Sequence, residues 1–255
     1  MIRLTPRLMT AVPYVRPGHL AADVGTDHAY LPIYLCESGR LTPVAVPPGV
    51  PLLAGRTYPS ALCAIASDIN KGPVDRAALH VRAAGLQDRV LTVRTPGLDG
   101  LEPFHPTDIL IFGMGGELIA SILAAAPWLC SPDVRLILQP MTHAEKLRAF
   151  LFERGFRVVG ETLSREDARI YQTVCAEYRP EEPLPEKAVR PGCLLTGSEY
   201  PAEQRDLHRE LIGRMIRTHT AERDARAGAG QDVSGEDALL ADLSALSAEL
   251  DGRRS

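Results

Sequence analysis

No stretch of this 255-residue sequence approaches the ~18 consecutive apolar residues that a membrane-spanning helix needs, and no Cys-x-x-Cys pair occurs. The start, Met-Ile-Arg-Leu-Thr-Pro-Arg-Leu, holds no apolar segment of the kind a secretory signal requires. A soluble, cytoplasmic protein without membrane contact is therefore expected. The five cysteines, Cys36, Cys63, Cys130, Cys175 and Cys193, are scattered and odd in number. That argues against a disulfide framework or a zinc site and for reduced thiols, and no metal is expected. Positive charge is in short supply: 28 Lys and Arg against 32 Asp and Glu leave a net charge of −4. A nucleic-acid or anionic-membrane partner would thus require a local basic patch. The Gly-x-Gly-x-x-Gly fingerprint is missing too, and with it the usual pyrophosphate cradle of dinucleotide-binding folds. No internal repeat is visible.

What the chain does have is alternation. Hydrophobic residues make up 45% and charged residues 24%, ordinary for a globular chain, and the length suffices for one large α/β domain with a smaller appendage. Apolar strand-like runs alternate with helical patterns, the sign of βαβ units and a parallel sheet. The pattern predicts a helix at 4–15, a strand at 20–25, a helix at 29–38, a strand at 62–67 ending in Asp68, and a helix at 73–85. Strands at 89–94 and 108–112 follow, then a helix behind the glycines at 113–116, a strand at 134–138 and a helix at 143–154. Segments 156–163 and 170–177, joined by Ser-Arg-Glu-Asp, read as an antiparallel hairpin. Five alternating units closed by a hairpin give the order of a class I methyltransferase sheet, Rossmann-like and mostly parallel. A plain dinucleotide fold more often ends with another helix-strand unit.

Prolines and glycines crowd residues 39–61, a loop far longer than a usual βα connection and read as a surface insertion. Pro180, Pro183, Pro185 and Pro191 make 180–200 a stiff linker. Leu207, Leu211, Ile212, Met215 and Ile216 mark one helical face. Leu239, Leu243, Leu246 and Leu250 repeat at 4-3-4 spacing on a second helix, with Ser234 as its N-cap. The expected organisation is a cofactor-binding domain at 1–179, the linker, and a C-terminal helical hairpin of coiled-coil type at 201–255.

In an open parallel α/β sheet, ligands bind beyond the carboxyl ends of the strands, and four such ends carry chemistry here. After the first strand come Asp23, Gly25, Asp27 and His28. Gly25 suits tight backbone geometry, but Asp27 and Ala29 stand where a nucleotide loop has glycine. A carboxylate there repels a diphosphate and attracts an ammonium or sulfonium group, which favours S-adenosylmethionine over NAD. The simpler alternative is that Asp27 caps the next helix. Asp68, followed by Ile69, closes the second strand, where such sites place an acid for two ribose hydroxyls. Asp99-Gly100 follows the third strand, within reach of an adenine amino group, although Asp-Gly is also an ordinary turn. Gly113-Met114-Gly115-Gly116 ends the fourth. Missing side chains there let a ligand lie against backbone, with the amides of a helix N-terminus behind, while packing relief is the competing explanation. The Asn-Pro-Pro-Tyr motif common among methyltransferases of exocyclic amines is absent, which points to a target atom that already owns a lone pair.

Asp-Val-Gly-Thr-Asp-His-Ala-Tyr-Leu-Pro (23–32), Asp-Ile-Asn-Lys-Gly-Pro (68–73), Asp-Gly-Leu (99–101), Gly-Met-Gly-Gly (113–116) and Leu-Ile-Leu-Gln-Pro (136–140) appear in that order. With Leu-Thr-Pro-Arg-Leu (4–8) as an opening helix, they resemble the bacterial tRNA adenine-N1 methyltransferases of the TrmK type, which act on adenosine 22. The resemblance runs over nearly the whole chain, the helical hairpin included. It implies S-adenosyl-L-methionine as cofactor, with Gly25 and Asp27 beside its methionine part, Asp68 on its ribose and Asp99 on its adenine. Asp23, His28, Ile69, Gly100 and Gly113 complete that site. Gly113 to Gly116 and Gln139-Pro140 are implied to face the incoming base, and Arg7 and Tyr30 join Gly116, Gln139 and Pro140 on the substrate side. The family usually has Glu where Asp68 stands and lacks the 39–61 insertion, departures that concern loop geometry rather than the reaction.

The reaction so implied is in-line transfer, in which adenine N1 attacks the sulfonium methyl and catalysis comes mainly from near-attack positioning. Because N1 lies on the Watson–Crick edge, the adenosine must be unpaired or extruded. Positive charge grows on the base, so a nearby carboxylate or carbonyl helps. Asp27, Met114 and Gly115 are the candidate catalytic positions, and no general base is assigned. A structural role for His28 and a rim position for Tyr30 are the competing readings. The expected partner is tRNA, bound by a monomer or weak oligomer. Arg3, Arg7 and Arg16 are candidates for a basic rim. Arg205, Arg209, Arg214, Arg217, Arg223 and Arg226 interleave with acids on the first tail helix, which fits an RNA-contacting face or a mixed-charge solvated one. Two other functions stay open: a methyltransferase acting on another RNA site, a protein or a small molecule, and a noncatalytic RNA binder.

Overall fold

A computed structural model describes residues 2–51, 58–198 and 200–252. The first helix, α1 (Pro6–Met9), is much shorter than expected. Pro13 lacks the amide that a continued helix would need, and the Thr10 hydroxyl bonds Arg7 O and Thr173 Oγ1, each at 2.6 Å, which draws the chain onto the sheet. Strand β1 (Ala21–Val24) is buried throughout, as a central parallel strand covered on both faces must be. There follow α2 (Tyr30–Glu37), β2 (Val44–Ala45), β3 (Ala61–Leu62), β4 (Ala64–Asp68), α3 (Lys71–Ala83), β5 (Val90–Arg94), β6 (Asp108–Met114), α4 (Gly116–Ala124), β7 (Arg135–Pro140) and α5 (Ala144–Glu153). The hairpin β8 (Phe156–Glu166) and β9 (Arg169–Tyr178) closes a seven-stranded sheet of order β5-β4-β1-β6-β7-β9-β8. Its turn is shorter than expected, because Arg165 and Glu166 pair with Ile170 and Arg169 and extend the ladder.

Side-chain alternation along β6 divides the core. Ile109 and Ile111 pack with Ile119 of α4 and Leu147 of α5 on one face, while Leu110 and Phe112 pack with Ile33 of α2 and Ala77 of α3 on the other. Strands β5, β4, β1, β6 and β7 are parallel, so their carboxyl ends share one edge. Arg16 is not part of a rim there. It binds the fully buried Asp108 at the opposite, amino-terminal end of β6, through its backbone N at 2.6 Å and Nε at 2.7 Å.

Within 39–61, β2 and β3 form a two-stranded ribbon, and Val44, Val46, Val50 and Tyr58 pack against the main core; residues 52–57 lie outside the described ones. The stretch 180–200 holds more than a linker. Pro191 starts α6 (Pro191–Thr196), a favoured first helical position for proline, and Cys193 enters a small core with Ile212, Leu243 and Leu246. Those residues belong to α7 (Arg205–Gly228) and α8 (Ser234–Gly252), so a third helix joins the tail hairpin. Most tail arginines face acids: Arg209 holds Asp206 and Asp251, Arg214 holds Glu210, Arg223 holds Asp224 and Asp237, and Arg226 holds Glu236. A mixed-charge surface describes this helix better than a basic stripe. The cysteines are all free. Among the described residues no helix is long and apolar enough to cross a membrane, and no three His, Cys, Asp or Glu are placed to hold a metal.

Candidate active site

The turn after β1 is held by its neighbour strand. Gly25 N and Thr26 N both donate to Ser67 O of β4, at 2.8 and 2.9 Å. Gly25 has φ +77°, a conformation that favours glycine, and the flexible end of the Met114 side chain, from the end of β6, occupies the space where a Cβ would stand. Thr26 Oγ1 accepts from Ala29 N at 3.0 Å. Thr26 thus fixes the turn leading into α2, whose N-cap position is Ala29, at φ +53° and without a side-chain cap from Asp27 or any other residue among those described.

The two carboxylates of this turn have different fates. Asp27 is exposed and engaged by Arg76 of α3, whose Nε lies 3.0 Å from Oδ1 and whose Nη2 contacts the same oxygen, and by His28 Nε2 at 3.1 Å. The lone carboxylate aimed into the crevice, expected from the sequence, is instead shared with a guanidinium, which weakens its attraction for another cation. Asp23 is the buried one, at 7% exposure, and burial pushes its pKa up to about 6 against a lowering hydrogen bond from Thr26. Below pH ~4 both folded and unfolded chains hold this proton, and as pH rises the unfolded chain loses it first, so stability falls until about pH 6. Asp23→Asn is accordingly expected to raise stability by roughly 2–3 kcal/mol at pH 8 and by little at pH 4. Urea unfolding at the two pH values measures this, and equal effects at both would show that the carboxylate is not the source.

Asp68 closes β4 with Oδ1 accepting from Asn70 N at 2.6 Å, and its Oδ2 has no hydrogen-bond partner among the described residues. Beside it Ile69 is 57% exposed, an apolar face open next to the carboxylate. Asp99 and Gly100 line a recess of about 400 Å³ together with Ile122 and Trp128. Ser67 Oγ and His28 Nδ1 are buried without a hydrogen-bond partner among the described residues. An acid with an available oxygen, an apolar shelf and a glycine turn without a phosphate cradle fit a nucleoside joined to an amino acid, as in S-adenosylmethionine.

On the acceptor side the glycines divide. Gly113 has φ +82° and donates through its N to Gln139 Oε1 at 3.2 Å, and Gly115 is half-buried at the edge. Gly116 is buried, and a Cβ there would overlap the His143 carbonyl and lie 3.0 Å from Thr142 O. Packing relief therefore explains Gly116, which does not reach the edge. Gln139 is fully buried, accepting from Arg7 Nη1 at 2.9 Å and donating to Pro140 O at 2.8 Å, and Pro140 is buried beside it. Gln139 is thus closed off from an incoming base, while Pro140 borders the cleft beyond the end of β7. Gln139 instead ties the ends of β6 and β7 together and presents Arg7, whose guanidinium lies 5.6 Å from the centroid of the Tyr171 ring.

The rings of His28, Tyr30 and His80 stack on one another, with centroids 4.9, 5.1 and 5.2 Å apart, and Tyr30 is 37% exposed. Arg76 and His80 escaped the sequence reading because nothing in the pattern of α3 marks them. Only the packing of α3 beside the first turn brings them to Asp27 and His28.

A methyltransferase-domain family model matches residues 4–46 and 57–174. The tRNA (adenine(22)-N(1))-methyltransferase of Bacillus subtilis is 32% identical over 176 residues, covering 69% of this chain and 66% of that protein. A Streptococcus pneumoniae structure described as a putative tRNA (m1A22) methyltransferase in complex with S-adenosyl-L-methionine is 26% identical, with a TM-score of 0.74 over 97% of this chain and 100% of that one. A Streptococcus agalactiae protein of the NADB-Rossmann superfamily shares the fold at 24% identity and a TM-score of 0.77, over 96% of this chain and 98% of that one.

Proposed function

The chain belongs to the methyltransferase-domain family, and from that premise we propose that it methylates N1 of an adenosine in tRNA, adenosine 22 as in its relatives, with S-adenosylmethionine as donor. It works in the cytoplasm as a monomer or weak oligomer. The observation that carries this reading is the contact of Met114 with Gly25. It sets the donor turn and the glycine edge of β6 side by side, with the flexible Met114 side chain over the gap and none contributed by Gly25, Gly113 or Gly115.

Bound S-adenosylmethionine would supply an activated methyl on a sulfonium. Asp68 would accept from the ribose hydroxyls, Asp99 from the adenine amino group, and Gly25 with Asp23 would border the methionine part. The backbone carbonyl of Gly113 would face the base as its positive charge grows, since those of Met114 and Gly115 already accept from Met141 N and Ile119 N. Adenine N1 already carries the lone pair that attacks, so no base is needed on the enzyme. That suits Asp27, which is tied to Arg76.

Incubation with methyl-labelled cofactor and bulk tRNA, followed by digestion to nucleosides, is expected to place the label in 1-methyladenosine. Label in another nucleoside would move the target atom, and cofactor binding without any labelled tRNA would remove RNA as the substrate.

A further inference from the structure

We propose that the cleft between the end of β7, the β8–β9 hairpin and α7 is a nucleotide pocket that takes an unpaired RNA nucleotide next to the target adenosine. This rests on the tRNA reading above and adds a binding site to it. The cleft has a volume of about 490 Å³, within the range of ligand sites and ample for a nucleobase with its ribose. It begins at Pro140 to Thr142, and Thr142 Oγ1 lies 3.2 Å from a Cβ built on Gly115, so it is continuous with the acceptor edge.

Its floor is rigid. Gln172 Nε2 donates to Leu195 O at 3.1 Å while Gln172 Oε1 accepts from Arg148 Nη2 at 2.9 Å, and Arg148 is itself 2% exposed. Residues of the catalytic sheet thereby grip the backbone of the segment leading into α7, and the cleft is preformed. Its walls carry flat or adaptable apolar groups, Tyr171 from the hairpin, Met215 from α7 and Met141, which is 39% exposed. Guanidinium groups stand with them. Arg169 has no carboxylate partner among the described residues, and Arg214 shares Glu210 with Arg165. Among the described residues the one acid lining the cleft, Glu145, is faced by His143 at 3.3 Å.

A flat apolar ring joined to an anionic backbone matches this lining, as single-stranded nucleic acid does at stacking sites flanked by cations. The reaction supplies the need. A target adenosine turned out by its Watson–Crick edge leaves its neighbours unstacked, and a preformed apolar slot beside the edge gives one of them a new stacking surface. An apolar peptide would leave Arg169 without a counter-charge.

The test uses Met141→Ala and Arg169→Glu in the full chain, with tRNA binding by anisotropy, methylation kinetics, and tRNA carrying an abasic residue beside the target. Each variant is expected to raise both the Kd for tRNA and its KM about tenfold, with kcat, S-adenosylmethionine affinity and Tm unchanged. The abasic tRNA should show a similar loss with the unaltered protein and no further loss with Met141→Ala. Unaltered binding by both variants, or losses that simply add, would overturn the pocket; if Met141→Ala fails to fold, Arg169→Glu decides alone. Methylation without this dependence sinks the pocket and leaves the function. Binding with this dependence but no 1-methyladenosine sinks the function and leaves the pocket. A protein that does not bind tRNA at all sinks both.

Discussion

Arg148→Ala is expected to destabilise the protein by about 3–5 kcal/mol, because it strands a buried carboxylate. Arg148 and Glu161 have side chains only 2% and 3% exposed. Glu161 Oε1 accepts from Arg148 Nε at 3.1 Å and Nη2 at 2.6 Å, while Nη1 donates to Leu194 O at 2.8 Å. On the tail side most of the bonded atoms are backbone: Leu194 O, Leu195 O and Ser198 N, the last 2.9 Å from Glu161 Oε2. The pair thus holds a chain conformation, and Gly197 at φ +80° is part of it, since a Cβ there would crowd Glu161 Oε1 at 2.7 Å. Next to this network burial pushes His208 down to about 4, so it stays neutral beside the guanidinium. The double variant Arg148→Met with Glu161→Leu removes both charges and should recover most of the lost stability, since a buried pair often contributes little net over apolar residues of similar size. Urea unfolding of single and double variants reads the difference. A single-variant cost below about 1 kcal/mol would mean that water already solvates Glu161.

Asp68→Ala is expected to weaken S-adenosylmethionine binding at least about a hundredfold. Two hydrogen bonds from ribose hydroxyls to a carboxylate are each worth roughly 1.5–3 kcal/mol, and about 1.4 kcal/mol is a factor of ten in affinity. Folding should be nearly unaffected, because among the described residues the side chain accepts only from Asn70 N. Asp68→Glu keeps the charge and should retain much of the affinity. Calorimetry on the three proteins is the measurement, and an alanine variant that binds as tightly as the unaltered chain would place the ribose elsewhere.

Strand ends were readable because they are local. The apolar run of β1 followed by Gly25, the acid closing β4 and the glycines after β6 each sit within a few residues of one another, and parallel strands bring their carboxyl ends to one edge whatever the loops do. Side-chain orientation at those ends was not readable. Gln139 looked like an edge residue but turns inward, because the end of β7 pairs with β6 and Gln139 bridges to Gly113 and Arg7. Asp27 looked like an isolated carboxylate or a cap, and Arg76, 49 positions away, takes that charge.

By itself the sequence determined the class of fold, the shared edge at which the parallel strands end and the type of cofactor, since periodicity and backbone-restricting residues act over short distances. The tertiary structure alone decided which carboxylate is buried, which glycine is demanded by packing, and how the tail is fixed to form a cleft beside that edge. Those outcomes depend on contacts between residues far apart in the chain, where burial and the position of a distant arginine set the charge and reach of each group.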